Sequence, residues 1–188
     1  MGLQQEKLTL QAYLDWENAH PERHEFYRGE VFAMVGGRRS HGRVTANLVM
    51  HLGLQLKGTP CQIFSESMKI QIADDTILYP DIFVTCDRQD LQTEMIFRAP
   101  TLVIEVLSPS TQAYDRSQKF ALYRRLSSLK EYALIDPDTR RAEVFRINAD
   151  GHFVLFDMSE SESLELTSIG CKLAMTEVFD GIDVGTQN

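Results

Sequence analysis

An α/β chain built around a mixed sheet is the fold class this sequence predicts, and three observations carry the prediction. Segment 40–58, SHGRVTANLVMHLGLQLKG, places Val44, Leu48, Leu52 and Leu56 along one side of a helix. Short runs rich in Val, Ile, Phe and Tyr, bounded by Gly, Pro and Asp, recur from residue 61 to residue 157 and read as strands. A composition of 43% hydrophobic and 24% charged residues over 188 positions is apolar enough to bury a core and too balanced for a disordered chain. The length suits one domain spanning 1–188.

The elements follow in order. LTLQAYLDWENAH reads as a short helix with Thr9 as its N-cap. RHEFYRGEVFAMVGG reads as a hairpin turning at Arg28-Gly29 and ended by Gly36-Gly37. Ser40 is the expected cap of the long helix and Gly58 its stop. CQIFSES, MKIQIA and TILYPDIFVTC read as strands, with a turn at Asp74-Asp75. DRQDLQTEMIFR is polar and reads as a loop. TLVIEVL is a buried strand, SPST a turn, and DRSQKFALYRRL a second helix with Phe120, Tyr123 and Leu122 or Leu126 facing inward. EYALIDP and RAEVFRI are strands around DPDTR, GHFVLFD is another, and the remainder reads as a strand and a short helix.

The net charge of −8 argues against non-specific binding to a polyanion. The charge is unevenly placed, however. Arg38, Arg39, Arg43 and Lys57 face no acid within 36–57, and Arg116, Lys119, Arg124, Arg125 and Lys130 outnumber Asp115 within 114–130. Either segment can simply be a solvated helix face. No apolar run is long enough to cross a bilayer, and the start lacks a basic segment followed by an apolar one. Met1-Gly2 does not open an acylation motif, because Glu6 stands where Ser or Thr is required. A cytoplasmic protein is therefore expected. Cys61, Cys86 and Cys171 are scattered and odd in number, so the expectation is buried free thiols, with no disulfide framework and no zinc site.

Two acids stand inside apolar runs. Asp81 follows Pro80 in ILYPDIFV, and Glu105 sits in LVIEVL. Side-chain alternation puts Asp81 on the side of Tyr79 and Phe83, and Glu105 on that of Val103 and Leu107. A carboxylate buried among apolar neighbours needs a partner. Taken singly, Asp81 can cap a turn and Glu105 can pair with a buried arginine. Taken together on neighbouring strands, they can share a divalent cation such as Mg²⁺ or Mn²⁺, which prefer oxygen ligands. Asp115 and Lys119, four apart, lie on one helix face in the favourable order for an ion pair. Spacing alone favours a surface pair there, although the short SPST turn can also bring Lys119 back over the sheet.

The succession YPDIFV, then PTLVIEVLSPSTQAYDRSQKFALYRRLSSLKEYALIDP, resembles the Uma-two (Uma2) family of restriction-like endonucleases in the PD-(D/E)XK nuclease superfamily. YRGEVFAMVGGRRSHGRVTANLVMHL is similar to that family's N-terminal block, with Gly29-Glu30 and His41 at its recurring positions. The resemblance covers about residues 8–150. It implies a restriction-endonuclease-like fold, a mixed central sheet flanked by helices, with an N-terminal helix and hairpin extension. It implies Asp81, Glu105 and the Val106 backbone carbonyl as ligands of Mg²⁺ or Mn²⁺, and Glu30 as a further acid. Lys119 matches the catalytic lysine, with Asp115 its neighbour, and Leu107 stands where the superfamily's strand carries a lysine. His41 would touch metal or phosphate, and Arg38, Arg39, Arg43 and Arg116 the nucleic acid. The implied activity is Mg²⁺-dependent endonucleolytic cleavage, of DNA in the first instance, by a homodimer. A nuclease fold that binds nucleic acid or assembles without cutting is the alternative.

Overall fold

The computed structural model describes residues 7–34 and 37–183. Met1-Gly2 and the hairpin-ending Gly36 lie outside the described residues. Helix α1 (Leu10–Asn18) starts where Thr9 accepts from the Ala12 amide at 3.2 Å, the cap the sequence predicts. Strands β1 (His24–Tyr27) and β2 (Glu30–Ala33) form the predicted hairpin. Its two central residues, Arg28 and Gly29, have φ of 51° and 87°, as a two-residue turn matched to strand twist requires. Helix α2 (Arg39–Gln55) begins before Ser40, so Ser40 is not its cap. Arg38 takes the N-cap position, with no side-chain bond to the helix.

TILYPDIFVTC does not form one strand. β5 (Thr76–Leu78) and β6 (Ile82–Thr85) are separate and belong to different sheets, broken at Tyr79-Pro80-Asp81. Pro80 has no amide to give a ladder, so the chain leaves one sheet there and enters the other. β5 joins β1, β2, β4 (Lys69–Ala73) and β7 (Ile96–Phe97) in the order β2-β1-β5-β4-β7. β7 lies within the segment expected to be a loop. β6 joins β3 (Gln62–Ser65), β8 (Pro100–Val106), β9 (Glu131–Asp136), β10 (Arg141–Ile147) and β11 (Phe153–Asp157) in the order β11-β10-β9-β8-β6-β3. Both sheets are mixed: β8 runs parallel to β9 and β4 parallel to β7, and the other pairs are antiparallel. A third ladder pairs β12 (Ser163–Leu166) with β13 (Cys171–Ala174), followed by α5 (Met175–Val178).

The six-stranded sheet has two buried faces. Ile82, Val84, Leu102, Ile104 and Val106 point toward α2 and the C-terminal elements, where Val44, Leu48 and Leu52 pack. Phe83, Val103, Leu107, Tyr132 and Leu134 point the other way, against Phe120, Leu122 and Tyr123 of the second helical segment. That segment is α3 (Gln112–Tyr114), a π-helical stretch (Asp115–Lys119) and α4 (Phe120–Tyr123). π-Helical stretches inside helices frequently mark functional sites. The expectation of three free thiols is overturned: Cys61 and Cys86 form a disulfide and Cys171 alone is free. The register explains it. Gln62 pairs with Thr85 across β3 and β6, so the next residue out on each strand faces the other, with Cα atoms 4.0 Å apart.

Candidate active site

Ile82 pairs with Ile104 in the antiparallel β6–β8 ladder, so Asp81 and Glu105 fall opposite one another just beyond it. The Asp81 amide donates to Glu105 Oε2 at 3.3 Å, and the Val106 amide donates to Asp81 Oδ2 at 2.7 Å. Both acids lie on the face that the second helical segment covers. Glu105 is 1% exposed. The ammonium of Lys119, reached through the short turn, lies 3.1 Å from Glu105 Oε1, 3.3 Å from Glu25 Oε1 and 3.9 Å from Asp115 Oδ1. It also donates to the Tyr79 carbonyl at 3.1 Å. The surface ion pair that spacing alone favoured is thus a buried one, with Lys119 and Asp115 both under 10% exposed. Although Glu105 Oε1 is in charge contact with Lys119, its angles are too poor for a hydrogen bond, and this buried oxygen has no hydrogen-bond partner.

Glu25 is the acid that sequence reasoning missed. It accepts from the Tyr79 amide at 3.3 Å and from the Tyr114 hydroxyl at 3.0 Å. Glu30, which the sequence singled out on the same hairpin, is exposed and makes no contact with the cluster. By alternation and cross-strand pairing the two share a face, but Glu30 pairs with Tyr27 one repeat nearer the turn. Alternation in HEFY puts Glu25 on the face opposite Phe26, and no local signal says that this face is covered. Behind Glu25 lies a second buried acid, Glu17, which accepts from the Tyr79 hydroxyl at 2.9 Å and from the His24 amide at 3.1 Å. Helix α1 thereby fixes the Tyr79-Pro80-Asp81 crossing.

His41 Nε2 lies 3.1 Å from Asp81 Oδ2. Gly37 packs on the imidazole so closely that a Cβ there would stand 3.0 Å from Nδ1. His41, Arg38, Asp81, Glu105, Asp115 and Lys119 share one cleft of about 850 Å³. Arg23 also lines it, whereas Arg39, Arg43 and Arg116 do not. Arg43 pairs with Asp180 at 2.5 Å, Arg116 pairs with Glu143, and Arg39 is exposed on α2 outside the cleft lining. Arg38 pairs with Asp138 at the cleft rim, where both are well exposed.

Four carboxylates, Glu25, Asp81, Glu105 and Asp115, surround one ammonium. Burial opposes the charge on Lys119, but Glu105, Glu25, Asp115 and Asp81 outweigh it and hold its pKa well above the usual lysine value. Burial pushes Glu105 well up, which Lys119 only partly offsets and the other acids reinforce. Burial likewise raises Asp115. Burial also works against the charge on Asp81, yet the His41 hydrogen bond and charge, Lys119 and the Val106 amide together hold its carboxyl low. The bond to Asp81 raises His41. Among the described residues no group of three or more His, Cys, Asp and Glu side chains forms a ready cage for a metal. Glu105 Oε1, which has a charge contact but no hydrogen bond, and the surplus of carboxylates nevertheless suit a hard divalent cation, which keeps most of its waters and needs few protein ligands.

A family profile described as "Putative restriction endonuclease", Uma2, matches residues 10–176. The chain is 36% identical over 177 residues to the uncharacterized protein slr1290 of Synechocystis, covering 94% of this chain and 93% of that one. A second Synechocystis protein, the uncharacterized sll1609, is 33% identical over 164 residues, covering 85% and 93%. Among solved structures, "a putative nuclease belonging to DUF820" from Anabaena variabilis superposes with a TM-score of 0.73 at 22% identity, covering 92% of this chain and 97% of that one. That likeness bears out the restriction-endonuclease-like fold. Among the described residues no helix is long and apolar enough to cross a membrane.

Proposed function

For a chain that belongs to the Uma2 family, we propose metal-dependent endonucleolytic hydrolysis of nucleic acid, with DNA as the substrate and Asp81, Glu105 and Lys119 as the working set. The observation that carries the reading is the buried ammonium of Lys119, brought from a helix to 3.1 Å from Glu105 although Leu107 occupies the strand position. Asp81, Glu105 and the Val106 carbonyl are the groups that would hold Mg²⁺ or Mn²⁺. When bound, that ion would polarise the scissile phosphate and acidify a water. Lys119 keeps its proton, so its role is donation to a phosphoryl oxygen or to the attacking water rather than proton abstraction. Asp115 and Glu25 hold the ammonium in place. His41, whose Nε2 lies 3.1 Å from Asp81, would steady that carboxylate and bring positive charge toward a phosphate when protonated.

The test is cleavage of supercoiled plasmid and of oligonucleotides with Mg²⁺, with Mn²⁺ and with EDTA. Wild type should cut only with metal, and Asp81→Ala and Glu105→Ala should abolish cutting while retaining the fold. A wild type that never nicks DNA or RNA with either ion sinks the proposal. The alternative is a nuclease fold that binds nucleic acid or assembles without cutting, kept open by the lysine's place on the helix while Leu107 holds the strand position. That reading predicts chelator-insensitive binding that survives Lys119→Ala. A homodimer belongs to the same proposal and is checked by light scattering.

A further inference from the structure

One wall of the cleft carries apolar surface that the chemistry above does not use. Phe32 is 47% exposed and Met34 is 39% exposed, and both line the same cleft as Asp81, Glu105 and Lys119. Phe32 pairs directly across the hairpin with Glu25, so the two side chains stand on one face, a cross-strand neighbour distance apart. Glu25 reaches the Lys119 ammonium on that face, and Tyr27, two residues along, also lines the cleft. The other face of β2 is occupied differently, with Val31 packed into the core around Tyr13 and Phe26. β2 is the edge of its sheet, and about half of Phe32 is exposed.

Exposed apolar residues scattered singly need no explanation. These are not scattered: Phe32 in β2 and Met34 just past its end stand two residues apart and line the same cleft as the acids. A phosphodiester chain entering such a site meets two surfaces of opposite demand. The acids beside Phe32 repel a second phosphate, so the group favoured against the wall is the uncharged part of a nucleotide. An aromatic ring next to a phosphate-handling site offers a stacking platform for that part. A base within a duplex has both faces covered by its neighbours and cannot stack on Phe32. Arg23 lines the same cleft and can take a flanking phosphate, as can Arg38 if it exchanges its exposed pair with Asp138.

We propose that Phe32 stacks on an unpaired nucleobase next to the phosphate held at Asp81 and Glu105, so that the preferred substrate is single-stranded or frayed DNA rather than intact duplex. The inference rests on the nuclease reading and goes further by naming the substrate class. The test uses fluorescence anisotropy in Ca²⁺ buffer with three probes: a labelled single-stranded oligodeoxynucleotide, its blunt duplex, and a sugar–phosphate strand of equal length without bases. Wild type should prefer the single strand. Phe32→Ala should bind it about 5- to 100-fold more weakly, the effect of one lost base stack. The same variant should leave duplex and base-free affinities unchanged, with an unaltered melting temperature, and Phe32→Tyr should restore binding. Equal single-strand affinity for wild type and Phe32→Ala, or an equal loss on the duplex, overturns the stacking role while a metal-dependent wild-type nuclease still stands. A wild type that neither binds nor cuts any probe overturns both.

Discussion

Replacing Lys119 by Met keeps the hydrocarbon stem and removes the charge. The surroundings set the magnitude. Glu105, Glu25 and Asp115 lie within 4 Å of the ammonium, and Lys119 is 6% exposed. An exposed helix pair contributes only about 0.3–0.5 kcal/mol. Removing one partner from a buried pair leaves uncompensated charge and costs about 3–5 kcal/mol. At about 2–4 °C per kcal/mol for a chain of this size, Lys119→Met should melt roughly 6–20 °C below wild type. The loss should depend on pH, with a definite sign. Lys119, raised in the fold, contributes fully below its unfolded value near 10.4 and is constant through neutrality. Burial already raises Glu105 and Asp115, and Lys119 opposes both shifts. Without Lys119 their folded values climb further. A carboxyl with a raised folded pKa contributes stability below its unfolded value, near 4, that is lost as pH rises through the folded value. The gap between variant and wild type should therefore widen from about pH 5 to pH 8. Differential scanning fluorimetry in EDTA measures it. A variant melting within 1–2 °C of wild type at both pH values would refute the argument, because it would make Lys119 an ordinary surface charge.

Gly37→Ala sets a Cβ 3.0 Å from His41 Nδ1, so it should displace the imidazole from Asp81 and reduce cleavage severalfold with little change in melting; unchanged activity counts against a supporting role for His41. His41 is raised in the fold by Asp81, so its stabilisation is present below about pH 6.5 and lost as pH rises through its folded value. Asp81→Asn should flatten the dependence of melting temperature on pH just above 6.5, and an NMR titration in which His41 stays put in that variant counts against the pairing. Reducing the Cys61–Cys86 bond, which spans 25 residues, should remove about 3 kcal/mol of stability. Three titratable thiols in the unreduced, denatured protein would contradict the bond itself.

Alternation within each strand was legible because it is a local property, and it pairs Asp81 with Phe83 and Glu105 with Val103, although Tyr79 falls in a different cluster because the strand breaks at Pro80. That the two acids share one face comes from the β6–β8 register. The hairpin and its turn were likewise legible locally, since Arg28-Gly29 carries the turn chemistry in adjacent residues. What escaped depends on long-range placement. Glu25 meets Lys119 across 94 residues, and nothing in HEFY says which element will lie over it. The disulfide depends on the β3–β6 register, which scattered cysteines do not reveal. The break at Pro80 was visible as a residue, but its consequence, a change of sheet, appears only once both ladders exist.

The presence of leucine at 107, with a lysine supplied from the helix instead, has a packing reason. Leu107 lies on the same face as Glu105, and that face is filled by Phe120, Tyr123 and Tyr132. Leu107 is 4% exposed there. A lysine in its place would have to drive a charged side chain beneath the helical segment, against three aromatic rings. From above, the segment offers Lys119 from its π-helical stretch, directly over Glu105. It is anchored by the Tyr132 hydroxyl on the Asp115 carbonyl at 2.9 Å and by the Tyr79 carbonyl on the ammonium itself. The same aromatic packing that excludes a cation from the strand holds the helix low enough to supply one. Tyr79 belongs to the crossing that carries Asp81, so acid, acid and lysine are fixed by one set of contacts. The helix α1 acid Glu17, which accepts from the Tyr79 hydroxyl, extends that set to the N-terminal part of the chain. The N-terminal helix and hairpin therefore help build the site, supplying Glu25 and steadying the Asp81 crossing, and are more than a cover on a finished core.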